Sequence, residues 1–204
     1  MKIIKWKTLI IASLICLLPI LLGLALWERL PDTMPIHFDI NNNPDNFASK
    51  GFCVFFFPVM MMVFEWISCI INDVNAYKHG RRTKFENVTK WILPFMCIVL
   101  QIATFGYSLG ISVDIRRVCA VIVGLMFLLI GNYLPKLDYV KNYDVNTEKA
   151  RQINRFIGML TVVMGIIMLL SILLPPIATV ISLILLFPYA LICVIYGIKV
   201  GLKK

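Results

Sequence analysis

Apolar residues in this chain fall in long unbroken runs separated by short polar stretches. The first run is 8–26, after a basic start, and the second is 51–71. The others are 91–109, 118–134, 156–174 and 177–198. Each is close to the roughly 20 apolar residues that carry an α-helix across hydrocarbon. The pattern predicts an all-α polytopic membrane protein of six transmembrane helices, 1–204 forming a single helical membrane domain. The first run is longer than the apolar core of a signal peptide, and Leu24-Ala25-Leu26-Trp27 is a poor cleavage site, so a retained helix is expected. Pro19, Pro58, Pro94 and Pro188 lie inside spans, where each predicts a kink.

Composition agrees. Apolar residues make up 60% of the 204 and charged residues 15%, against about 45–50% and about 25% in soluble domains. That much apolar surface cannot be hidden in a soluble fold of this length. The net charge of +9 does not call for nucleic acid, and direct nucleic-acid binding is not expected. With both termini in the cytoplasm, sixteen of the 20 Lys and Arg lie inside and four outside, as the positive-inside rule requires. All six cysteines, at positions 16, 53, 69, 97, 119 and 193, fall in apolar runs. They read as small apolar residues, not disulfides or metal ligands.

The segment 27–50 is the most informative. It carries Glu28, Asp32, Asp39 and Asp45 against Arg29 and Lys50, so it is net acidic while the inner connections are basic. Pro31, Pro35 and Pro44 stiffen it, and Asn41-Asn42-Asn43-Pro44-Asp45 is a turn signal. Asp39, Asn41, Asn43 and Asp45 fall at positions 1, 3, 5 and 7 of a calcium loop, but Pro44 and Lys50 stand where Gly and a bidentate Glu belong. His37 with Asp39 supplies two metal ligands, too few for a site. No metal and no cofactor is expected. The plain reading is a solvated turn; the sharper one is a peptide-recognition loop.

Within the spans, Glu65 is the one acidic or basic side chain inside an apolar run. An intramembrane carboxylate is a functional candidate by default. Its plain reading is a side chain that reaches the inner interface or pairs with the basic connector 72–90. Gln101 and Asn132 are expected to hydrogen-bond between helices. Gly106-x-x-x-Gly110 and Gly197-x-x-x-Gly201 have the spacing of close helix contacts, which arises often by chance. No Gly-rich phosphate loop, H-E-x-x-H or G-x-S-x-G motif is present, so no catalytic constellation forms and an enzyme is not expected.

The stretch from Leu30 to Lys50 resembles the signature of the SdpI-like immunity protein family, whose N-terminal membrane domain of unknown function carries a Leu-Pro-Asp…Pro…His-Phe/Trp…Gly…Asp…Lys pattern. Leu30, Pro31, Asp32, Pro35, His37, Phe38, Asp45 and Lys50 match it, and Asn41–Asn43 replace the turn glycine. A second similar motif runs Gly131-Asn132-Tyr133-Leu134-Pro135-Lys136, and Arg155 with Gly158 keeps the family's Thr-x-Arg-x-x-Gly element. A Gly-Ile-Arg-Thr-Pro-Trp block expected between them is missing. The resemblance implies a protein of a Gram-positive cell membrane that protects against a secreted membrane-active peptide toxin. Some members also hold a cytoplasmic repressor at the membrane. It implies a toxin-binding outer loop at Pro31, Asp32, Pro35, His37, Phe38, Asp39, Asp45 and Lys50. Glu65, Asn132, Pro135, Lys136 and Arg155 are candidates within the membrane and on the inner side. Expected partners are lipid, the toxin and a repressor. The alternatives are a sensor or anchor acting on a regulator, and a small transporter.

Overall fold

The computed structural model describes residues 3–78, 84–136 and 147–201. Among the described residues, six helical segments are long and apolar enough to cross a membrane: Trp6–Ala25, Phe52–Lys78, Lys84–Ser108, Ile115–Lys136, Glu148–Ser171 and Pro176–Gly201. The protein is therefore helical and polytopic, as the apolar runs predict. It resolves into two compact units, Met1–Val118 and Cys119–Lys204.

The first unit contains α1 (Trp6–Ala25), a hairpin of β1 (Thr33–Phe38) and β2 (Pro44–Ser49), α2 (Phe57–Lys78), the short α3 (Lys84–Thr89) and α4 (Ile92–Ser108). It ends on the first turn of α5 (Ile115–Tyr133). The antiparallel hairpin is absent from the all-helical reading. Pro35 and Pro44 sit in the strands themselves, where isolated proline is tolerated at a sheet edge. A two-stranded sheet is all edge, and the register is irregular at Ile36, between the Pro35↔Phe47 and His37↔Asn46 pairs. Such a ribbon is marginal alone. It is held by a core of Leu30, Met34, Cys53, Val54 and Phe105, with Leu26, Trp27, Ala48 and Leu109 packed against it.

The second span opens with a π-helical stretch, Phe52–Phe56. The Phe57 amide donates to the Phe52 carbonyl. In that register the next donor, for the Cys53 carbonyl, is residue 58, and Pro58 has no N–H. Gln101 from α4 fills the vacancy: its amide Nε2 donates to the Cys53 carbonyl at 2.9 Å. The expectation of an interhelical role for Gln101 holds.

The second unit contains the rest of α5, a 3-10 turn Leu134–Lys136, α6 (Thr147–Ser171), α7 (Pro176–Ile184) and α8 (Leu186–Gly201). The last span is two helices where the sequence predicts one kinked run. Pro188 cannot donate to the Ile184 carbonyl, and the helix breaks at Leu185. Helices α5 and α6 meet backbone to backbone. A Cβ on Gly131 would lie 2.7 Å from the Gly158 carbonyl oxygen, and one on Gly165 would lie 2.8 Å from that of Gly124. The glycine pairs singled out by four-residue spacing do not make this contact: Gly110, Gly197 and Gly201 have open space around them.

Candidate functional site

The hairpin builds the candidate site from the signature residues, and they brace one another. His37 Nδ1 lies 2.5 Å from Asp45 Oδ1 across the ribbon. Lys50 Nζ lies 3.4 Å from Asp32 Oδ1 and donates to the Trp27 carbonyl at 3.1 Å. The same ammonium stands 5.1 Å over the Trp27 ring. The Lys50 amide donates to the Asp32 carbonyl at 2.8 Å, which closes the base of the ribbon. Phe38 packs edge-on against Tyr107 of α4 at 4.8 Å between centroids. Pro35 is buried, whereas Pro31 is exposed.

The turn is shaped by Asp39. Its Oδ1 accepts the amides of Asn41 and Asn43, each at 2.8 Å. Those bonds, led by the Asn43 amide, hold its carboxyl below the ordinary value. Asn42 adopts φ of +67°, a left-handed conformation that Asn tolerates and that stands in for the family's turn glycine. Its side chain then clamps the ribbon to the connection between α4 and α5. Nδ2 donates to the Val113 carbonyl at 3.0 Å, and Oδ1 accepts the Ile115 amide at 2.8 Å. Arg116 donates to the Ile40 carbonyl at 2.9 Å and to Asp114, whose carboxyl is lowered chiefly by that guanidinium.

The segment is a hairpin ribbon, pinned at its turn and solvent-exposed along much of both strands. The calcium-loop positions are committed elsewhere, Asp39 to turn amides and Asp45 to His37 rather than His37 to Asp39. Among the described residues, no group of three His, Cys, Asp or Glu is placed to hold a metal ion. What the ribbon leaves uncovered is Ile36, Ile40 and Phe47, at 47%, 70% and 52% exposure, among exposed Asp32 and Asp45.

Below the hairpin, Glu65 is fully buried. Its Oε1 accepts the Cys69 thiol at 2.6 Å, and Oε2 has no hydrogen-bond partner among the described residues. The described parts of the basic connector 72–90 are helix up to Lys78 and again over Lys84–Thr89. Its Lys90 is buried in an ion pair with Asp73 at 2.5 Å, and Asp73 also accepts the Lys5 amide at 2.9 Å. Cys16, Cys53, Cys69 and Cys97 are buried, as small apolar residues would be.

The inner candidates fall in the second unit. Asn132 does not bridge helices: its Oδ1 accepts Lys136 Nζ at 2.9 Å, one turn along. A Cβ on Gly158 would meet the Pro135 ring at 2.8 Å, so the two elements of the inner motif touch. Arg155 is exposed. His79, Arg81 and Arg82 lie outside the described residues.

Residues 14–62 match the family model of a domain of unknown function, DUF1648. The hairpin is the centre of that match. The resemblance to SdpI-like membrane proteins is borne out as a similarity. The chain is 27% identical to Immunity protein SdpI of Bacillus subtilis (strain 168) over 126 residues, which covers 62% of this chain and 59% of that one. It is 39% identical to the uncharacterized membrane protein YbgB of the same organism over 46 residues, 22% of this chain and 50% of that one. The chain thus spans between half and three fifths of the length of these curated relatives. No solved structure matches.

Proposed function

We propose that this chain is an immunity protein that protects its cell from a secreted peptide toxin, and that the hairpin captures the toxin outside the cell. The observation that carries the reading is the likeness to Immunity protein SdpI, joined to a matched domain whose centre is a rigid, exposed ribbon. Its uncovered Ile36, Ile40 and Phe47 suit the apolar face of an amphipathic peptide. Glu28, Asp32, Asp39 and Asp45, against Arg29 and Lys50, suit its cationic face. A prebraced ribbon loses little entropy on binding.

The orientation follows the distribution of Lys and Arg, with both termini in the cytoplasm. The role is binding, not catalysis. Expression in a sensitive Gram-positive host, challenged with peptides encoded beside the gene, tests it. Protection above a vector control is expected; equal killing for every such peptide defeats the reading.

A relay to a cytoplasmic repressor through segments 72–90 and 135–155 draws on fewer free cations than the sequence suggests, because Lys90 is buried on Asp73. A pull-down of the repressor would support it. A transport reading draws on the buried, half-satisfied Glu65. Uptake into proteoliposomes that Glu65→Gln abolishes would favour it.

A further inference from the structure

The second unit holds a cavity that the hairpin reading leaves without a task. Arg151, Arg155, Gln152 and Glu148 line its polar side; Phe156, Met159 and Tyr196 line the other. It lies between the N-terminal part of α6 and the C-terminal part of α8, with a volume near 530 Å³. The Phe156 and Tyr196 rings stack at 3.9 Å between centroids and join the two helices there. Arg151 and Arg155 are one helical turn apart on the same face. Both are exposed, and neither has a hydrogen bond or ion pair among the described residues. Glu148 is the one carboxylate on the lining.

We propose that this cavity binds the headgroup of an anionic phospholipid. Two guanidiniums on one face make a fork for a phosphodiester. Met159 lies one further turn along α6, toward the apolar stretch of the span, where an acyl chain would continue from a headgroup held at Arg155. Aromatic rings at this level suit the boundary between headgroup and hydrocarbon. Basic pockets between helices at the end of a span favour anionic lipid over zwitterionic lipid. A soluble polyanion would use the arginines and have no use for Met159 or Phe156. Arg155, part of the inner motif, thereby gains a ligand of its own.

The test uses the full-length protein in detergent, titrated with phosphatidylglycerol or phosphatidylcholine of the same acyl chains and followed by native mass spectrometry, which reports the folded species. The wild type should prefer phosphatidylglycerol. The double variant Arg151→Gln with Arg155→Gln should lose about 10- to 30-fold in phosphatidylglycerol affinity, with phosphatidylcholine unchanged. Lys7→Gln, in the other unit, should not alter the preference. A wild type with no preference, or a double variant that keeps it, overturns the proposal. Displacement of the lipid by millimolar inorganic phosphate would also overturn it and assign the arginines to a free oxyanion.

Discussion

Gln101 of α4 reaches 2.9 Å to the Cys53 carbonyl in the π-helical opening of the second span, the carbonyl that Pro58 leaves without a backbone donor. Gln101→Leu keeps the volume and removes the donor. The expected cost is about 1–2 kcal/mol, read as a lower thermal midpoint in detergent. Gln101→Leu with Pro58→Ala should recover part of it, since residue 58 then carries its own N–H. A single variant as stable as the wild type would show that the bond contributes nothing.

A second prediction concerns the glycine seam of α5 and α6. Gly131→Leu or Gly158→Leu places side-chain atoms where backbone and the Pro135 ring already stand, under 3 Å away. Each should abolish accumulation of folded protein or lower its midpoint by more than any surface change. Gly197→Leu, with open space around it, should be neutral. Equal behaviour of Gly131→Leu and Gly197→Leu on size-exclusion chromatography would contradict the packing.

The spans were legible in the chain because hydrocarbon demands a length and an unbroken apolar composition, and both are visible in one dimension. The hairpin was not. Its strands are short, hold two prolines and lack clean alternation, so the pattern over Thr33–Phe38 carries no strand signal. What makes it a ribbon is tertiary: Met34 seated on Phe105 and Val54, and Asn42 tied to Val113 and Ile115. The signature residues were identified from resemblance, but their pairing as His37 with Asp45 and Asp32 with Lys50 needs the register. The glycine seam was missed for the opposite reason. Four-residue spacing pointed to Gly197 and Gly201, whereas the contact uses two seven-residue pairs, Gly124 with Gly131 and Gly158 with Gly165.

Asp39 gives a prediction with pH. Its carboxyl is lowered from 3.8 in the fold, so its contribution is present above that ordinary value and is lost as pH falls through the lower one. The turn should be indifferent to pH through the physiological range. The Asn43 amide resonance should titrate with a midpoint below 3.8, and Asp39→Asn should remove that titration. A midpoint above 3.8 would contradict the two amide bonds.

The ribbon's exposed apolar residues should decide protection without deciding the fold. Ile36→Ser with Phe47→Ser should leave the midpoint nearly unchanged, because both side chains are about half exposed. The toxin dose tolerated should fall about tenfold or more, as expected when interface anchors are truncated. Full protection by that variant would move toxin capture away from the hairpin.

The account depends most on the ribbon facing outward. Ile40, at 70% exposure, is the natural reporter. Ile40→Cys in intact cells should react with a membrane-impermeant maleimide at once, while Gln152→Cys should react only after permeabilisation. Ile40→Cys that stays silent until the membrane is opened would place the hairpin in the cytoplasm and end the case for capture of a secreted peptide.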